Sequence, residues 1–533
     1  MRTRIGSLNF SAPLRGAVGL GAVACLLFAW IAPAAAPQDR VNASYAAMGG
    51  GKLKSITLHI TQEQFDPGES YSVADPAKPD TGVSELTQSR DLVNGLARNE
   101  WIRPLPDNSG KRTYTEIITP AAGYVIGYDA TNGRLPKRAT KGTPPEHTMS
   151  GRRLTANLRE LARPMIVMEM KQHPDRVAAI AEQKVADKTY PALQYRNDYG
   201  TFIVMFDAAT NLPARVRTLD WDGLEGDSTY DAEYSDWRDV GGEKIAFHTL
   251  YTLNGMKIAD LKISGVTPNP NLPPDTFSIP QNMLASAAKP APANLTPFQW
   301  VIRRQFLGFY FDSDAMYTDD GDSLRLVDIG TNISQTQGGT HNTIFIATGS
   351  YLVAVEAPND DGQSLQSLDM AKKKYPGKPV RYLILTHHHV DHTSGMRTYA
   401  AEGATIVVGK GDGDYFRKVL ARPETLNRFA PTNAFTPKVV EVDGKWSVND
   451  SDREVDAYAV ENPHAAGYII AYVPDARLGV VTDLYTPGVP VSANPNVLAL
   501  VKSVDKWGIK PERFAGGHGS TGPYADVTQA LQK

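Results

Sequence analysis

The 533-residue sequence has a single cysteine, Cys25, inside its N-terminal apolar segment. With that segment removed the chain has none. This excludes disulfide stabilisation, a cysteine nucleophile and thiolate metal ligands. Charge of either sign is also not in excess. The net charge is −3 and the pI near 6.4, so composition makes no case for nucleic acid as a partner, which needs a clustered basic face. No Gly-x-Ser-x-Gly elbow marks a serine hydrolase, and no Gly-x-x-x-x-Gly-Lys loop marks a nucleotide site. The N-terminal apolar run, from about Gly16 to Trp30, is shorter than the roughly 20 residues a membrane span requires.

That run follows Arg2, Arg4 and Arg15 and precedes Ala32-Pro33-Ala34-Ala35-Ala36. A basic start, an apolar core and small residues describe a secretory signal peptide over residues 1–36. The expectation is cleavage near Ala34 or Ala36 and a periplasmic or secreted protein. An uncleaved membrane anchor is the competing reading.

Residues 37–284 read as mainly β. Lys54 to Ile60 alternates apolar and polar residues, the pattern of a half-buried strand. Thr113 to Tyr128, Ala192 to Phe206, Ala214 to Trp221, Asp231 to Trp237, Ile245 to Leu253 and Ile258 to Val266 have the same character, separated by turn residues. A helical stretch around Arg152 to Met170 interrupts them. Short turns between strands favour an antiparallel, curved sheet. The Ala/Pro tract Ala285 to Asn294 opens a connecting segment assigned to residues 285–322.

Residues 323–533 alternate strand and helix patterns and predict an α/β domain. Leu324 to Ile329, Thr343 to Ala347, Tyr351 to Val355, Arg381 to Leu385 and Ala404 to Val408 read as strands, and Gln363 to Tyr375 and Gly395 to Glu402 as helices. The buried strand Arg381 to Leu385 runs directly into Thr386-His387-His388-His389-Val390-Asp391-His392. Four histidines and an aspartate here point to a metal site rather than a polar turn. Imidazole nitrogen and carboxylate oxygen are natural zinc ligands, and the carboxyl end of a strand is where α/β sheets hold their sites. Later come His464 before a strand, Asp483 at a strand end, and His518 in a glycine-rich loop.

Together these residues resemble the metallo-β-lactamase superfamily. Residues 387–392 match its His-x-His-x-Asp-His motif, and His464, Asp483 and His518 match its later ligands in order. The resemblance implies an αββα sandwich and two zinc ions, with His387, His389 and His464 on the first, Asp391, His392 and His518 on the second, and Asp483 bridging. Iron and manganese suit the same ligand types. It implies a bridging hydroxide as nucleophile, with Asp391 orienting it and managing its proton. Tyr485, two residues past Asp483, is offered as an oxyanion or leaving-group donor. Glu356 is read as orienting the histidine loop, with a charged strand-end residue as the alternative. His341, in Gly338-Gly339-Thr340-His341-Asn342, either touches substrate or makes a structural hydrogen bond. Aspartate at 483 points to the hydrolase-like branches and away from the cysteine-bearing β-lactamases.

More loosely, Met48-Gly49-Gly50-Gly51-Lys52-Leu53-Lys54-Ser55-Ile56 and Leu272-Pro273-Pro274-Asp275-Thr276-Phe277-Ser278-Ile279-Pro280 are similar to the outer-membrane lipoprotein carrier fold. That similarity implies an apolar groove and contact with lipid, or else a scaffold for the second domain. The expected function is a zinc-dependent hydrolase of a small-molecule or acyl substrate: ester, lactone, thioester or amide. The alternatives are a β-lactam-hydrolysing enzyme of the same fold, or a lipid- or lipoprotein-binding protein whose metal domain is not catalytic.

Overall fold

The computed structural model describes residues 36–65, 67–74, 82–104, 110–127, 129, 145–296 and 324–532. Residues 1–35, which hold Cys25 and were expected to form a signal peptide, and the connecting segment from residue 297 to 322 lie outside the described residues.

The N-terminal half is built on a 13-stranded sheet in which every pairing is antiparallel. Its strands include each of those expected from alternation. Ser55–Gln64 pairs with Met256–Pro268, so the first and last long strands close the middle of the sheet. Two strands not expected from the sequence, Ser84–Asp91 and Leu96–Pro104, lie beside them. The helix Gly151–Ala162 starts at Ser150, whose side chain accepts from the Arg153 N–H. It lies against both halves of the sheet: Arg90 donates to the Leu161 carbonyl, and Arg163 to the Val216 carbonyl. Between helix and sheet is an apolar cavity lined by Leu58, Ile60, Leu86, Trp101, Met165 and Ile263, about 1330 Å³ including its open mouth.

The C-terminal half has two mixed sheets. Seven strands from Arg325–Gly330 to Val439–Val442 form one, and six from Lys445–Asp450 to Thr521–Pro523 form the other. Three apolar clusters fill the layers. Leu383, Ile406, Leu368, Met396 and Phe416 join the first sheet to its helices. Val353, Ile384, Val407, Val455, Ile469 and Val480 pack sheet on sheet. Val481, Phe514, Val497 and Leu500 join the second sheet to the helix Pro495–Trp507. The inner strands Ile344–Ala347, Leu352–Val355, Ile469–Val473 and Leu478–Val481 are buried along their whole length and therefore read as continuous apolar runs rather than alternating ones.

The halves interlock within one compact unit, Pro37–Lys533. Leu224, at a hairpin tip of the large sheet, joins the apolar cluster of the first C-terminal sheet. The adjoining Gly223 carbonyl accepts from Arg397 at 2.6 Å. Glycine is required there, because a Cβ would lie 2.1 Å from the Ser394 hydroxyl. The Ala/Pro tract lies on the start of the helix Gly151–Ala162, with the Ala291 N–H donating to the Gly151 carbonyl at 3.0 Å.

Candidate metal centre

The ligating groups of the C-terminal half lie at one edge of its two sheets, where strand ends deliver them. Val380–Ile384 runs parallel to Leu352–Val355 and Thr405–Gly409, and the histidine loop leaves its carboxyl end. Glu356 follows Leu352–Val355. In the second sheet, Leu478–Val481 and Arg513–Gly516 run parallel and deliver Asp483 and His518 from their carboxyl ends. His464 precedes Ile469–Val473, which is antiparallel to Leu478–Val481 and so begins at the same edge.

Two groups of ligating side chains converge there: His387, His389, His464 and Asp483 in one, and His341, Asp391, His392 and His518 in the other. In the first, His387 Nε2 is 3.2 Å from His464 Nε2 and 3.3 Å from Asp483 Oδ2, and His464 Nε2 is 3.2 Å from Asp483 Oδ2. Ligands at zinc distances on a tetrahedron are separated by roughly 3.3–3.6 Å. The residues present therefore fit a metal ion with little movement. In the second, His518 Nε2 is 3.0 Å from Asp483 Oδ1, His392 Nε2 is 3.0 Å from Asp483 Oδ2, and His341 Nε2 is 3.2 Å from Asp391 Oδ2. The Asp483 carboxylate thus touches imidazoles of both groups.

The backbone is bent to do this. Asp483 and Glu356 both have positive φ, +56° and +69°, conformations that cost a non-glycine residue energy and collect at functional sites. Glu356 is fully buried. One of its oxygens accepts from the Thr386 N–H at 2.8 Å and the other lies 2.7 Å from His392 Nδ1. It thereby fixes both the start of the loop and the ring of His392. His387 is braced by the Thr386 hydroxyl at 3.0 Å and by the Tyr468 ring, and His518 Nδ1 by the Thr340 carbonyl at 3.1 Å.

The charge states suit metal binding. Burial, reinforced by neighbouring imidazoles, holds His387 well below the ordinary histidine range and takes His389 and His341 down to about 3. These rings are neutral and keep a lone pair to donate. Burial opposes protonation of His392 and His518 too, but Asp483 outweighs it and raises both. Asp483 is itself held well below the carboxylate range, against its burial, by His392 and His518. Positive charge is already gathered around this carboxylate, and a bound cation would take the place of those protons.

The structure brings His387, His389, Asp391, His392, His464, Asp483 and His518 together and leaves Tyr485 out. Tyr485 is buried in the apolar cluster under the second sheet, its ring 6.1 Å from Phe514 and its hydroxyl near Asp526 and Tyr524. The residue at i+2 turns into the core, so the oxyanion role expected of it has no support in this geometry. His341 enters the site through Asp391 and through ring contacts with His518 and His392 at 4.2 and 5.0 Å. Glu69, from the N-terminal half, is a further residue at the site. Its Oε2 lies 3.4 Å from His389 Nδ1. A lone glutamate 318 positions before the motif carries no sequence signal.

Residues 337–522 match the family described as the metallo-beta-lactamase superfamily. Among solved structures, the chain is similar to a metallo-beta-lactamase from Pontibacter korlensis (16% identity, 39% of this chain and 99% of that one, TM-score 0.31). It is also similar to a B3 metallo-beta-lactamase with an active-site glutamic acid (15% identity, 39% and 88%, TM-score 0.28). A third is a stereoselective inverting sec-alkylsulfatase from a Pseudomonas species (16% identity, 39% and 40%, TM-score 0.31). No curated protein matches the chain.

Proposed function

We propose, from the premise that residues 337–522 are a domain of the metallo-beta-lactamase superfamily, that this chain is a zinc-dependent hydrolase of an ester, lactone, thioester or amide. The four-layer packing of its C-terminal half is read as the αββα sandwich. The observation that carries the proposal is the Asp483 carboxylate, 3.0–3.3 Å from imidazoles of both ligand groups. His387, His389 and His464 would hold one ion, Asp391, His392 and His518 a second, and Asp483 both. The donors are all nitrogen and oxygen, a set that suits zinc and also iron or manganese. When bound, zinc supplies a Lewis acid and lowers the pKa of a coordinated water to about 7.

The chain's own residues do the rest. Glu356 holds His392 in one tautomer. Asp391, linked to His341 Nε2 at 3.2 Å, is placed to orient the attacking water and hold its proton. The substrate is bound at the open edge of the sheets, and its class is for experiment to choose. The basic, apolar N-terminal segment is read as an export signal, which places the protein in the periplasm or outside the cell.

The test strips the purified full chain with a chelator and assays it on ester, lactone, thioester, amide, penicillin and carbapenem substrates before and after zinc is restored. Loss and recovery of hydrolysis on one of the first four classes is expected. Full activity in the metal-depleted protein would sink the proposal, and turnover confined to the β-lactams would replace its substrate.

A second reading concerns the N-terminal half. Its cavity, lined by Leu58, Ile60, Leu86, Trp101 and Met165, favours an apolar ligand such as an acyl chain over a purely structural role. A fluorescent fatty acid should bind, and Leu86→Glu should abolish binding. Equal binding by the variant excludes the cavity.

A further inference from the structure

The segment that follows the strand Ser55–Gln64 leaves the large sheet and crosses the metal centre. The Gly68 carbonyl accepts from the Val390 N–H at 2.9 Å. The Ser70 carbonyl lies 2.9 Å from His388 Nε2 and 3.0 Å from His389 Nε2. The Tyr71 carbonyl accepts from the Ala466 N–H at 2.7 Å, and its hydroxyl donates to the Asn462 carbonyl. Residues 68–71 are therefore stitched to both loops that carry the first ligand group, the one with His389 and the one with His464.

These contacts decide which nitrogen of His389 is free to bind. A carbonyl can only accept, so the Ser70 carbonyl selects the tautomer of His389 protonated at Nε2. The lone pair is then on Nδ1, and Nδ1 faces the Glu69 carboxylate at 3.4 Å. A cation between them would satisfy both atoms, and a metal ion is one that a further carboxylate can share. Glu69, His389 and Asp391 offer ligand atoms that all lie within 4.8 Å of one another.

We propose that Glu69 is a carboxylate ligand of the metal centre, delivered by the N-terminal half, and that the Ser70 carbonyl fixes the ligating tautomer of His389. The proposal rests on the metal-centre reading above. It makes the large sheet part of the active site, because the C-terminal domain alone lacks this carboxylate. The 68–71 segment also covers His389 on one side.

The test loads cobalt(II) into the apo full-length protein and follows the visible absorption of the bound ion, with affinity taken from chelator competition. Wild type, Glu69→Gln and Glu69→Asp are compared, with thermal melting as the control for folding. The expected result for Glu69→Gln is a changed cobalt spectrum and a tenfold to hundredfold loss of affinity for one ion, on the order of what disturbing a metal site costs, with melting unchanged. Glu69→Asp should restore part of the spectrum. A Glu69→Gln protein with the wild-type spectrum and affinity overturns the proposal and leaves the metal centre standing. A lowered melting temperature with an unchanged spectrum also overturns it, since that describes a purely structural contact. Failure of the wild type to bind cobalt removes the metal-centre reading itself.

Discussion

The helix Gly151–Ala162 and the histidine loop at residues 387–392 both bury ionisable side chains, and they manage the charge differently. Around the helix Arg153, Arg159 and Arg163 each meet a carboxylate. Arg153 contacts Glu116 and Asp129 at 2.8 Å each, Arg159 contacts Asp220 at 2.8 Å, and Arg163 contacts Glu160 at 2.8 Å. The result is a closed set of ion pairs. At the histidine loop, six imidazoles and the carboxylates of Asp391 and Asp483 converge with no lysine or arginine among them. Their polar atoms converge on shared space, with the Asp483 carboxylate touching four of the imidazoles. The first arrangement is complete in itself; the second has the donors to hold a cation. Asp412 shows a third solution. It is buried beside Glu441 with no cation in contact among the described residues, and burial, helped by Glu441, pushes its carboxyl up to about 7, so it keeps its proton below that pH.

Breaking a closed pair should have the largest effect on folding. Arg153→Met leaves Glu116 and Asp129 uncompensated and is expected to cost about 3–5 kcal/mol. Denaturant titration reads this, while the folded fraction should keep its metal content. An unchanged midpoint would mean that the helix is not held by these pairs.

Asp412 comes next. Its folded pKa lies above its unfolded value near 4, so the folded state holds the proton more tightly. The stability this provides is fully present below about pH 4 and is lost as pH rises through 7. Between pH 5 and 7 the loss should be on the order of 2 kcal/mol. Asp412→Asn should flatten that slope, as measured by melting at each pH. A slope that survives the substitution assigns it to other groups.

Glu356→Gln sharpens the contrast from the other side. It should leave folding nearly intact and weaken metal binding by roughly 10–100-fold. A large fall in stability with unaltered metal affinity would put Glu356 with the structural pairs. The smallest effect is expected for Tyr485→Phe, whose hydrolysis rate should stay within about twofold of wild type, because its hydroxyl lies in the apolar cluster under the second sheet.

The clustering of the site's side chains was legible because the motif is local. Residues 387–392 supply two ligands to each group within six positions, and His464, Asp483 and His518 sit where strand patterns end. The strands were legible where one face is apolar. Ser84–Asp91 was missed because its inward positions include Gln88 and Arg90, which line the cavity beside Leu86, and alternation of polar with polar leaves no signal. Tyr485 was misplaced because spacing from Asp483 says nothing of which way a side chain turns. Glu69 was out of reach for a different reason. Its place depends on how the large sheet docks, through the Leu224 hairpin and the 68–71 segment, against a histidine loop more than 300 residues away. His341 was noticed only as part of a glycine-rich loop, and packing against His518 and His392 gives it its position.

The most direct test of the central account is elemental analysis of the full-length protein, purified without chelator and saturated with zinc. About two zinc ions per chain are predicted, falling by at least one in Asp483→Asn, since that carboxylate is shared by both ligand groups. A wild-type chain that binds no stoichiometric metal would contradict the account.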